Sequence, residues 1–371
     1  MLQAKRATSR TIGRRVKKIV EIMSGPTRKT TIYDIARLSG SSPSTVSSVL
    51  SGNSGKRRIK ESTVEAIQKI AAEAGYSTNM QARGLRQARS GMAGMIIPLH
   101  DNRFFSSLSQ SFDTMARERG LCPVIASTLR NPKEEARIVE TLISYAVDSL
   151  FIAGATDPDA LGQMCTAARL PHVFIDLPGK TAPSVVTNNF HGAELLTRKI
   201  LGEMPVVANL TRARPHFFGG SAADYATALR IKAFKTVAKA SGFKIGDDQI
   251  IQCGYSPRGA TTAIAELCER LGGLPAGLFV NSLTVFEGVM SYFVTLPPTV
   301  FSQSIIGCFD YDPFAAFLQF PVYMVRQNSN QLVAKAYELL ETGASARMLT
   351  EIEPDLIEPR TLHKGPLSEL G

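Results

Sequence analysis

The sequence has no tryptophan, five cysteines and five histidines among its 371 residues. The cysteines are far apart and form no C-x-x-C pair, which disfavours a disulfide framework and a zinc site. The histidines show no metal-ligand spacing, and no apolar run reaches the roughly 20 residues that a membrane-spanning helix needs. We therefore expect a reduced cytoplasmic protein with no metal, no cofactor and no membrane partner.

Motifs of common enzymes are also missing. No G-x-G-x-x-G, G-x-x-x-x-G-K-[ST] or G-x-S-x-G follows an apolar segment, and the residues offer no Ser/His/Asp set. The basic N-terminus is not followed by an apolar stretch, so no secretory signal is predicted. These absences disfavour a doubly wound enzyme, and we predict that the protein is not an enzyme.

Positive charge is concentrated in the first quarter of the chain. Residues 1–90 contain 18 Lys and Arg against 5 Asp and Glu, a net charge of +13. The whole chain has 42 against 32, so residues 91–371 hold 24 against 27, a net charge of −3. This asymmetry is typical of a segment that binds a polyanion. A solvated basic tail is the alternative, and it accounts for residues 1–29 alone.

Two short helices joined by a tight turn are predicted between residues 30 and 50. Thr31 is placed to cap the first helix, with Asp34 as the acid of a capping box. Gly40 suits the end of that helix, and Ser42 caps the second, which begins with a proline. The serines of the second helix leave one face short and polar. The pattern predicts a helix-turn-helix, although an αα-hairpin in a helical core has a similar pattern.

The pattern T-I-x-D-I-A-x-x-x-G-x-S-x-x-T-V-S-x-V-L resembles the headpiece of the LacI/GalR family of bacterial transcription regulators. The family's hinge pattern Y-x-P-N-x-x-A-R-x-L-R is matched, with Thr78 in place of the proline, by Tyr76, Asn79, Ala82, Arg83, Leu85 and Arg86. The resemblance extends to about residue 360. It is closest to the fructose and sucrose repressor branch, which carries an insertion similar to the basic residues 56–58.

The resemblance implies a small all-α helix-turn-helix headpiece. After it would come an α/β sensor, similar to periplasmic binding proteins, with two doubly wound parallel-sheet subdomains. The predicted parts are a disordered basic extension at 1–29, the headpiece at 30–77, a hinge helix at 78–90, the sensor at 91–350 and a tail at 351–371. Within the sensor, the N-subdomain is about 91–189 with 328–348, and the C-subdomain is about 190–327. The alternative is that translation starts at Met23, which would leave out residues 1–22 and give an arm of family length.

The sequence pattern beyond residue 91 supports the prediction of an α/β sensor. Short apolar strands alternate with amphipathic helices, which predicts parallel sheets with right-handed crossovers. The predicted strands are GMIIPL, PVIAS, SLFIAG and HVFID in the first half and HFFGG, IIQCG, AGLFV and SIIGCF in the second. We expect the chain to recross near residue 328, to place a helix at 329–342 in the first half, and to finish on the second.

The resemblance places the second helix in the DNA major groove, and a third helix at about 62–74 closes the headpiece. The predicted DNA contacts are Ile32, Tyr33, Ser42, Pro43, Ser44, Thr45, Ser47, Ser48, Arg57, Arg58, Lys60, Asn79, Ala82 and Leu85. Pro43, Ser44 and Ser48 stand at reading positions, and none can make the bidentate arginine–guanine contact. Leu85 matches the family leucine that wedges between base steps in the minor groove.

Ligands of open α/β sheets bind beyond the carboxyl ends of the strands. The strand-end candidates are Asp101, Asn102, Arg103, Phe104, Phe105, Ser127, Arg130, Asp176, Arg230, Asp310 and Gln327. Among these, the resemblance singles out Asp176, Arg230 and Asp310.

Two arginines of the branch are replaced by Leu177 and Asn330, which removes charge-assisted contacts to a phosphate. Arg103 and Arg130 are either substitutes for that charge or solvated loop residues.

The resemblance implies a homodimeric repressor of carbohydrate-utilisation genes, which binds double-stranded operator DNA on the nucleoid. A sugar or sugar phosphate in the cleft between the subdomains would release it. A tetramer stays possible, but no leucine heptads follow residue 350. The alternatives are a co-repressor ligand and a cytosolic sugar-binding protein or enzyme of the same fold.

Overall fold

The computed structural model describes residues 30–76 and 89–360. The chain divides after residue 88 into two compact units, a headpiece and a sensor. The predictions for the extension at 1–29, for most of the hinge, and for residues 361–371 lie outside the described residues.

The headpiece consists of three α-helices: α1 (Ile32–Ser39), α2 (Pro43–Leu50) and α3 (Glu61–Glu73), with a 3₁₀ turn at Gly55–Arg57 before α3. The capping box at the start of α1 is formed, and Gly40 ends the helix at φ +66°. The three helices bury one small core made of Ile35, Ala36, Leu38, Val46, Val49, Val64, Ile67, Ile70, Ala71 and Ala74.

The first subdomain of the sensor is a six-stranded parallel sheet in the order β11-β5-β4-β3-β1-β2. Its strands are β1 (Met92–Ile97), β2 (Cys122–Ser127), β3 (Ser149–Ala153), β4 (His172–Ile175), β5 (Ser184–Thr187) and β11 (Leu349–Ile352). Helices α4 (Arg103–Glu118) and α11 (Ser329–Glu341) cover one face, and α5 (Pro132–Ser144) and α6 (Pro158–Ala167) cover the other. Because both faces are covered, the central strands β1, β3 and β4 are buried and mainly apolar.

The second subdomain repeats this plan with the order β12-β10-β9-β8-β6-β7. Its strands are β6 (Pro215–Phe218), β7 (Ile250–Ile251), β8 (Gly277–Val280), β9 (Ile305–Phe309), β10 (Val322–Arg326) and β12 (Asp355–Ile357). All pairs are parallel except β10 with β12. Helices α7 (Asn189–Glu203) and α8 (Tyr225–Ala240) cover one face, and α9 (Pro257–Leu271) and α10 (Leu283–Phe293) cover the other.

The chain passes between the two sheets three times, after β5, after β10 and after β11. The second passage lies near residue 328, and the last described strand, β12, belongs to the second sheet. The fold class is therefore as predicted: a helix-turn-helix headpiece and two doubly wound α/β subdomains.

The predicted sensor boundary at residue 350 needs correction. The predicted tail contains the end of β11 and all of β12, which pair with the edges of the first and second sheets. These strands have only four and three residues, too few for an apolar period to be visible in the sequence. The folded sensor therefore extends at least to Ile357.

Candidate functional site

One exposed polar group of the headpiece lies at the N-terminus of α2. Ser42, Pro43 and Ser44 are exposed, and Ser42 Oγ accepts a hydrogen bond from the Thr45 backbone N–H at 3.1 Å. The Ser42 hydroxyl also lies 2.9 Å from Ser44 Oγ and 2.8 Å from Thr45 Oγ1. A cluster of short hydroxyls thus stands at a positive helix end, which suits phosphate or base-edge contacts.

Ser48 does not share that exposed face. Its side chain is buried, with 8% of the residue exposed, and its hydroxyl donates to the Ser44 carbonyl at 2.9 Å. The donor of this hydroxyl is thus used within its own helix, and a DNA contact by Ser48 stays a prediction. Of the other predicted contacts on the first two helices, Tyr33 is 71% exposed, whereas Ile32, Thr45 and Ser47 are half-buried.

Basic side chains form a second exposed group near the 3₁₀ turn. Arg57, Arg58 and Lys60 are exposed, and none forms an ion pair within residues 30–76 and 89–360. Charges without a protein partner are suited to phosphate contacts, which give affinity and orientation without reading sequence. Asn79, Ala82 and Leu85 lie outside the described residues.

A cleft lies between the two sensor subdomains at the carboxyl ends of their strands. It is lined by Asn102, Phe104, Phe105, Arg130, Asp176, Leu177, Asp224, Ala226, Arg230, Tyr255, Ser282, Thr284, Asp310 and Gln327. Aromatic walls with a few polar groups are ordinary for a small-molecule site.

Arg230 is fixed by contacts on three sides. Its Nε donates to Asn189 Oδ1 at 2.9 Å, and its Nη1 donates to the Asn281 carbonyl at 2.6 Å. The guanidinium carbon stands 3.5 Å from the centre of the Phe309 ring. With only 4% of the residue exposed, Arg230 is held in place before any ligand arrives.

Asp310 lies on the floor of the same cleft and is also hydrogen-bonded. It accepts from Gln327 Nε2 and, at 3.3 Å, from the Leu283 backbone N–H. Burial raises the pKa of Asp310 above its ordinary value, against the opposing effects of Arg230 and these hydrogen bonds. Its φ of +84° is uncommon for a residue with a side chain and indicates a conformation that the surroundings impose.

Asp176 differs from Asp310 because its carboxylate accepts no hydrogen bond within the described residues. Burial raises the pKa of Asp176 to about 6. Arg230 and then Arg130 oppose that rise, whereas Asp310 and Asp224 add to it. An acceptor of this kind on a cleft wall is suited to a hydroxyl donor from a ligand.

Arg130 and Tyr255 face each other across the cleft. The Arg130 guanidinium carbon is 5.1 Å from the centre of the Tyr255 ring and 5.9 Å from that of Phe105. The Tyr255 hydroxyl is held 2.7 Å from Thr227 Oγ1. Arg130 thus lies over aromatic surface at the mouth, where cation–π attraction orients it.

Three predicted ligand residues lie away from the cleft wall. Asp101 is exposed outside it, and Arg103 forms an ion pair with Asp312 at 3.0 Å across the rim. The Ser127 hydroxyl donates to the Pro98 carbonyl at 3.0 Å, because β2 ends in a turn that directs it back to the neighbouring strand. These three residues do not line the cleft, and their predicted ligand contacts stay predictions. Asn102 does line the cleft, and its Nδ2 donates to Thr284 Oγ1 at 3.2 Å.

Several lining residues were not predicted: Asp224, Ala226, Tyr255, Ser282 and Thr284. All follow strands of the second sheet, so applying the strand-end rule to β6, β7 and β8 would have indicated this region. Within the described residues, no group of three or more His, Cys, Asp or Glu side chains is placed to hold a metal ion. The same residues include no helix long and apolar enough to cross a membrane.

Comparisons with known proteins agree with this architecture. Residues 31–79 match the model of the lacI family of bacterial regulatory proteins. The ribitol operon repressor of Klebsiella aerogenes is 45% identical over 219 residues, which cover 58% of this chain and 78% of that protein. The sucrose operon repressor of Klebsiella pneumoniae is 31% identical over 317 residues, which cover 85% of this chain and 92% of that protein.

Among solved structures, the lac repressor dimer bound to operator and the anti-inducer ONPF superposes with a TM-score of 0.74 at 17% identity. The match covers 91% of this chain and 100% of that one. The headpiece and the two-subdomain sensor therefore define a DNA-binding transcription regulator. The chain belongs to the lacI family of bacterial regulatory proteins, as the resemblance implied, and the sucrose operon repressor among its relatives agrees with the predicted branch.

Proposed function

We propose that the protein represses a polyol- or sugar-utilisation operon and is released from its operator by an uncharged polyol or sugar in the cleft. The observation that supports this effector class is the Asp176 carboxylate, which accepts no hydrogen bond within the described residues and lines the same cleft as Arg230 and Asp310. Carboxylates accept hydrogen bonds from hydroxyls, and Arg230 donates to hydroxyl oxygens. The relatives named for ribitol and sucrose operons support the same class.

A phosphorylated ligand fits the cleft less well. Three carboxylates (Asp176, Asp224 and Asp310) and two guanidiniums line it, so its own charge is negative. Arg230 already donates from two nitrogens to protein acceptors, and Leu177 stands where the branch has arginine. A phosphate would bring more negative charge beside carboxylates in a poorly screened site. We therefore favour the uncharged ligand over the sugar phosphate.

We further propose that the protein acts as a homodimer in the cytoplasm, on the nucleoid, and is not an enzyme. The lac repressor, which shares the fold, is a dimer on its operator. One headpiece presents one recognition helix, so a dimer would read two half-sites of a pseudo-palindromic operator. Effector binding would shift the equilibrium between two arrangements of the subdomains, and DNA and effector affinities would then be reciprocally coupled.

The test is operator binding by the full chain, on genomic fragments around its own gene, with ribitol, sucrose or fructose 1-phosphate. We expect ribitol or sucrose to weaken binding by about 5- to 150-fold, the usual range of allosteric coupling. Fructose 1-phosphate should change it by less than about twofold. The measurement is fluorescence anisotropy at fixed salt, because protein–DNA affinity depends steeply on salt.

Two variants sharpen this experiment. Arg230→Lys keeps the charge but loses the forked donor geometry, so it should bind the operator and resist release. Arg198→Lys makes the same exchange on the exposed side of α7 and should behave like the unmodified protein. Operator binding that no polyol or sugar changes, or that fructose 1-phosphate changes most, would contradict the proposed effector class.

A further inference from the structure

Two of the segments that join the sensor subdomains lie side by side at the bottom of the cleft. One runs from Thr187, the last residue of β5, to Asn189, the first residue of α7. The other runs from the end of β10 through Gln327 to α11. Any rotation of one subdomain against the other must change the backbone of these segments, because they cross between the sheets.

Hydrogen bonds connect both segments to the residues that line the cleft. Asn189 is fully buried; its Oδ1 accepts from Arg230 Nε, and its Nδ2 donates to the Thr187 carbonyl at 3.0 Å. Gln327 donates from Nε2 to Asp310 Oδ1 and accepts from Thr187 Oγ1. Thr187 is therefore bonded to one segment through its carbonyl and to the other through its hydroxyl.

These contacts form one continuous chain from Arg230 to Asp310. The Asn189 and Gln327 amides each donate to one partner and accept from another, while Thr187 donates from its hydroxyl and accepts at its backbone carbonyl. None of the three side chains can rotate without losing a bond. Thr187, Asn189 and Gln327 are all buried. Breaking one of these bonds would leave a buried polar group without a partner, which is costly where the dielectric constant is low. Such a network favours discrete arrangements over gradual change.

We propose that Thr187, Asn189 and Gln327 form a crossover relay, a set of positioning residues that couples Arg230 and Asp310 to the two segments joining the subdomains. Occupation of the cleft shifts Arg230 and Asp310 from the positions they hold without ligand, and the relay passes that change to both segments together. This rests on the proposed function, in which effector occupancy alters the arrangement of the subdomains. Thr187 itself does not line the cleft, so its contribution is separable from ligand contact.

The decisive variant is Thr187→Val, which removes the hydroxyl and keeps the shape. Thr187→Ser restores the hydroxyl and is the rescue. Thr197→Val is the matched control, because Thr197 is also fully buried but donates only to the Ala193 carbonyl of its own helix. The first readout is the ratio of operator Kd values with and without saturating ribitol, measured on the full chain beside the ribitol Kd without DNA.

We expect Thr187→Val to lower that ratio by about 3- to 10-fold, within the range reported for residues on coupling networks. The ribitol Kd should change by less than about twofold, and Thr187→Ser and Thr197→Val should keep the ratio of the unmodified protein. A purely structural role would lower stability without changing the ratio. If the unmodified protein responds to ribitol and Thr187→Val keeps its ratio, the proposal is overturned.

Hydrogen exchange of the effector-free protein gives a readout that does not need the correct ligand. The Gly192 N–H bonds to the Asn188 carbonyl and the Leu332 N–H bonds to that of Asn328, one in each segment. Thr187→Val should speed exchange at both amides by about threefold or more relative to Thr197→Val. If ribitol has no effect on the unmodified protein, the proposed effector is wrong, and the exchange comparison alone tests the crossover relay. Faster exchange at both amides supports the relay. Faster exchange at one amide or at neither overturns it. If Thr187→Val does not fold, Gln327→Met breaks the same bond from the other side.

Discussion

At the scale of one residue, Asp176 shows how a side chain proposed to bind a ligand can oppose the stability of the fold. Its carboxylate lies in the cleft near Asp310 and Asp224, and burial raises its pKa from 3.8 to about 6. Below about pH 4 the group is protonated in both the folded and the unfolded chain. Above about pH 6 it is ionised in both, and the folded state then carries the unfavourable buried charge. Asp176 therefore destabilises the fold at neutral pH.

We predict that Asp176→Asn stabilises the sensor at pH 7 while weakening effector binding. The shift corresponds to a gain on the order of 1–3 kcal/mol at pH 7, which should shrink as the pH falls from 6 to 4. Urea unfolding of the full chain at pH 7 and at pH 4 measures the difference. Asp101→Asn is the control, because Asp101 is exposed outside the cleft. A variant that is no more stable at pH 7, or equally stabilised at both pH values, would contradict this account.

Other residues show which features of the candidate sites could be predicted from the sequence and which could not. Arg230, Asp310 and Asp176 were predicted as cleft residues, and the structure brings them together. Ser127 and Ser48 were predicted to face a ligand and DNA, but both hydroxyls bond to nearby carbonyls. Whether a short hydroxyl turns outward or back to the backbone depends on which acceptors the fold places within about 3 Å, which spacing in the chain does not reveal.

At the scale of elements, the helix-turn-helix is specified by local chemistry. The Thr31 backbone N–H donates to Asp34 Oδ2 at 3.0 Å, and the Asp34 backbone N–H donates to Thr31 Oγ1. Both partners therefore lie within one helical turn of each other in the chain. Helix ends of this kind can be predicted from the sequence because the donor and the acceptor are three residues apart. The sensor helix predicted at 329–342 lies at Ser329–Glu341 for the same reason: its amphipathic period is local.

We predict that Thr31→Ala destabilises the headpiece by about 1 kcal/mol, since it removes a cap. Local opening would then be about fivefold more frequent, and hydrogen exchange of the Ile35 and Leu38 amides should speed up accordingly. Ser39→Ala, in the last turn of the same helix, leaves the capping box intact and is the control. Equal exchange rates in the two variants would show that the box does not limit opening of α1.

At the scale of the whole molecule, the two parts of the chain carry net charges of opposite sign. Residues 1–90 carry +13 and residues 91–371 carry −3, so the DNA-binding part attracts phosphate while the sensor does not. The exposed Arg57, Arg58 and Lys60 belong to the first part, and the effector cleft belongs to the second. This division allows operator affinity to depend on salt without changing the ligand site.

We predict that Arg57→Ala weakens operator binding for all sequences alike and reduces the slope of log K against log salt by about 1. Lys133→Ala removes the same charge from an exposed position on α5 of the sensor and should leave the slope unchanged. The measurement is operator affinity across a salt series for both variants. An equal loss of slope in the two would mean that net charge, and not a phosphate contact at Arg57, controls affinity.

The sequence by itself determined the headpiece, the alternation of strands and helices, and the edge of the sheets where the cleft lies. Each depends on residues a few positions apart or on apolar periods. Only the tertiary structure decided which strand-end residues share the cleft, that residues 351–357 close both sheets, and that Thr187 links the two connecting segments. Those features depend on hydrogen bonds between residues as far apart as Thr187 and Gln327, and such pairings exist only once both subdomains have folded.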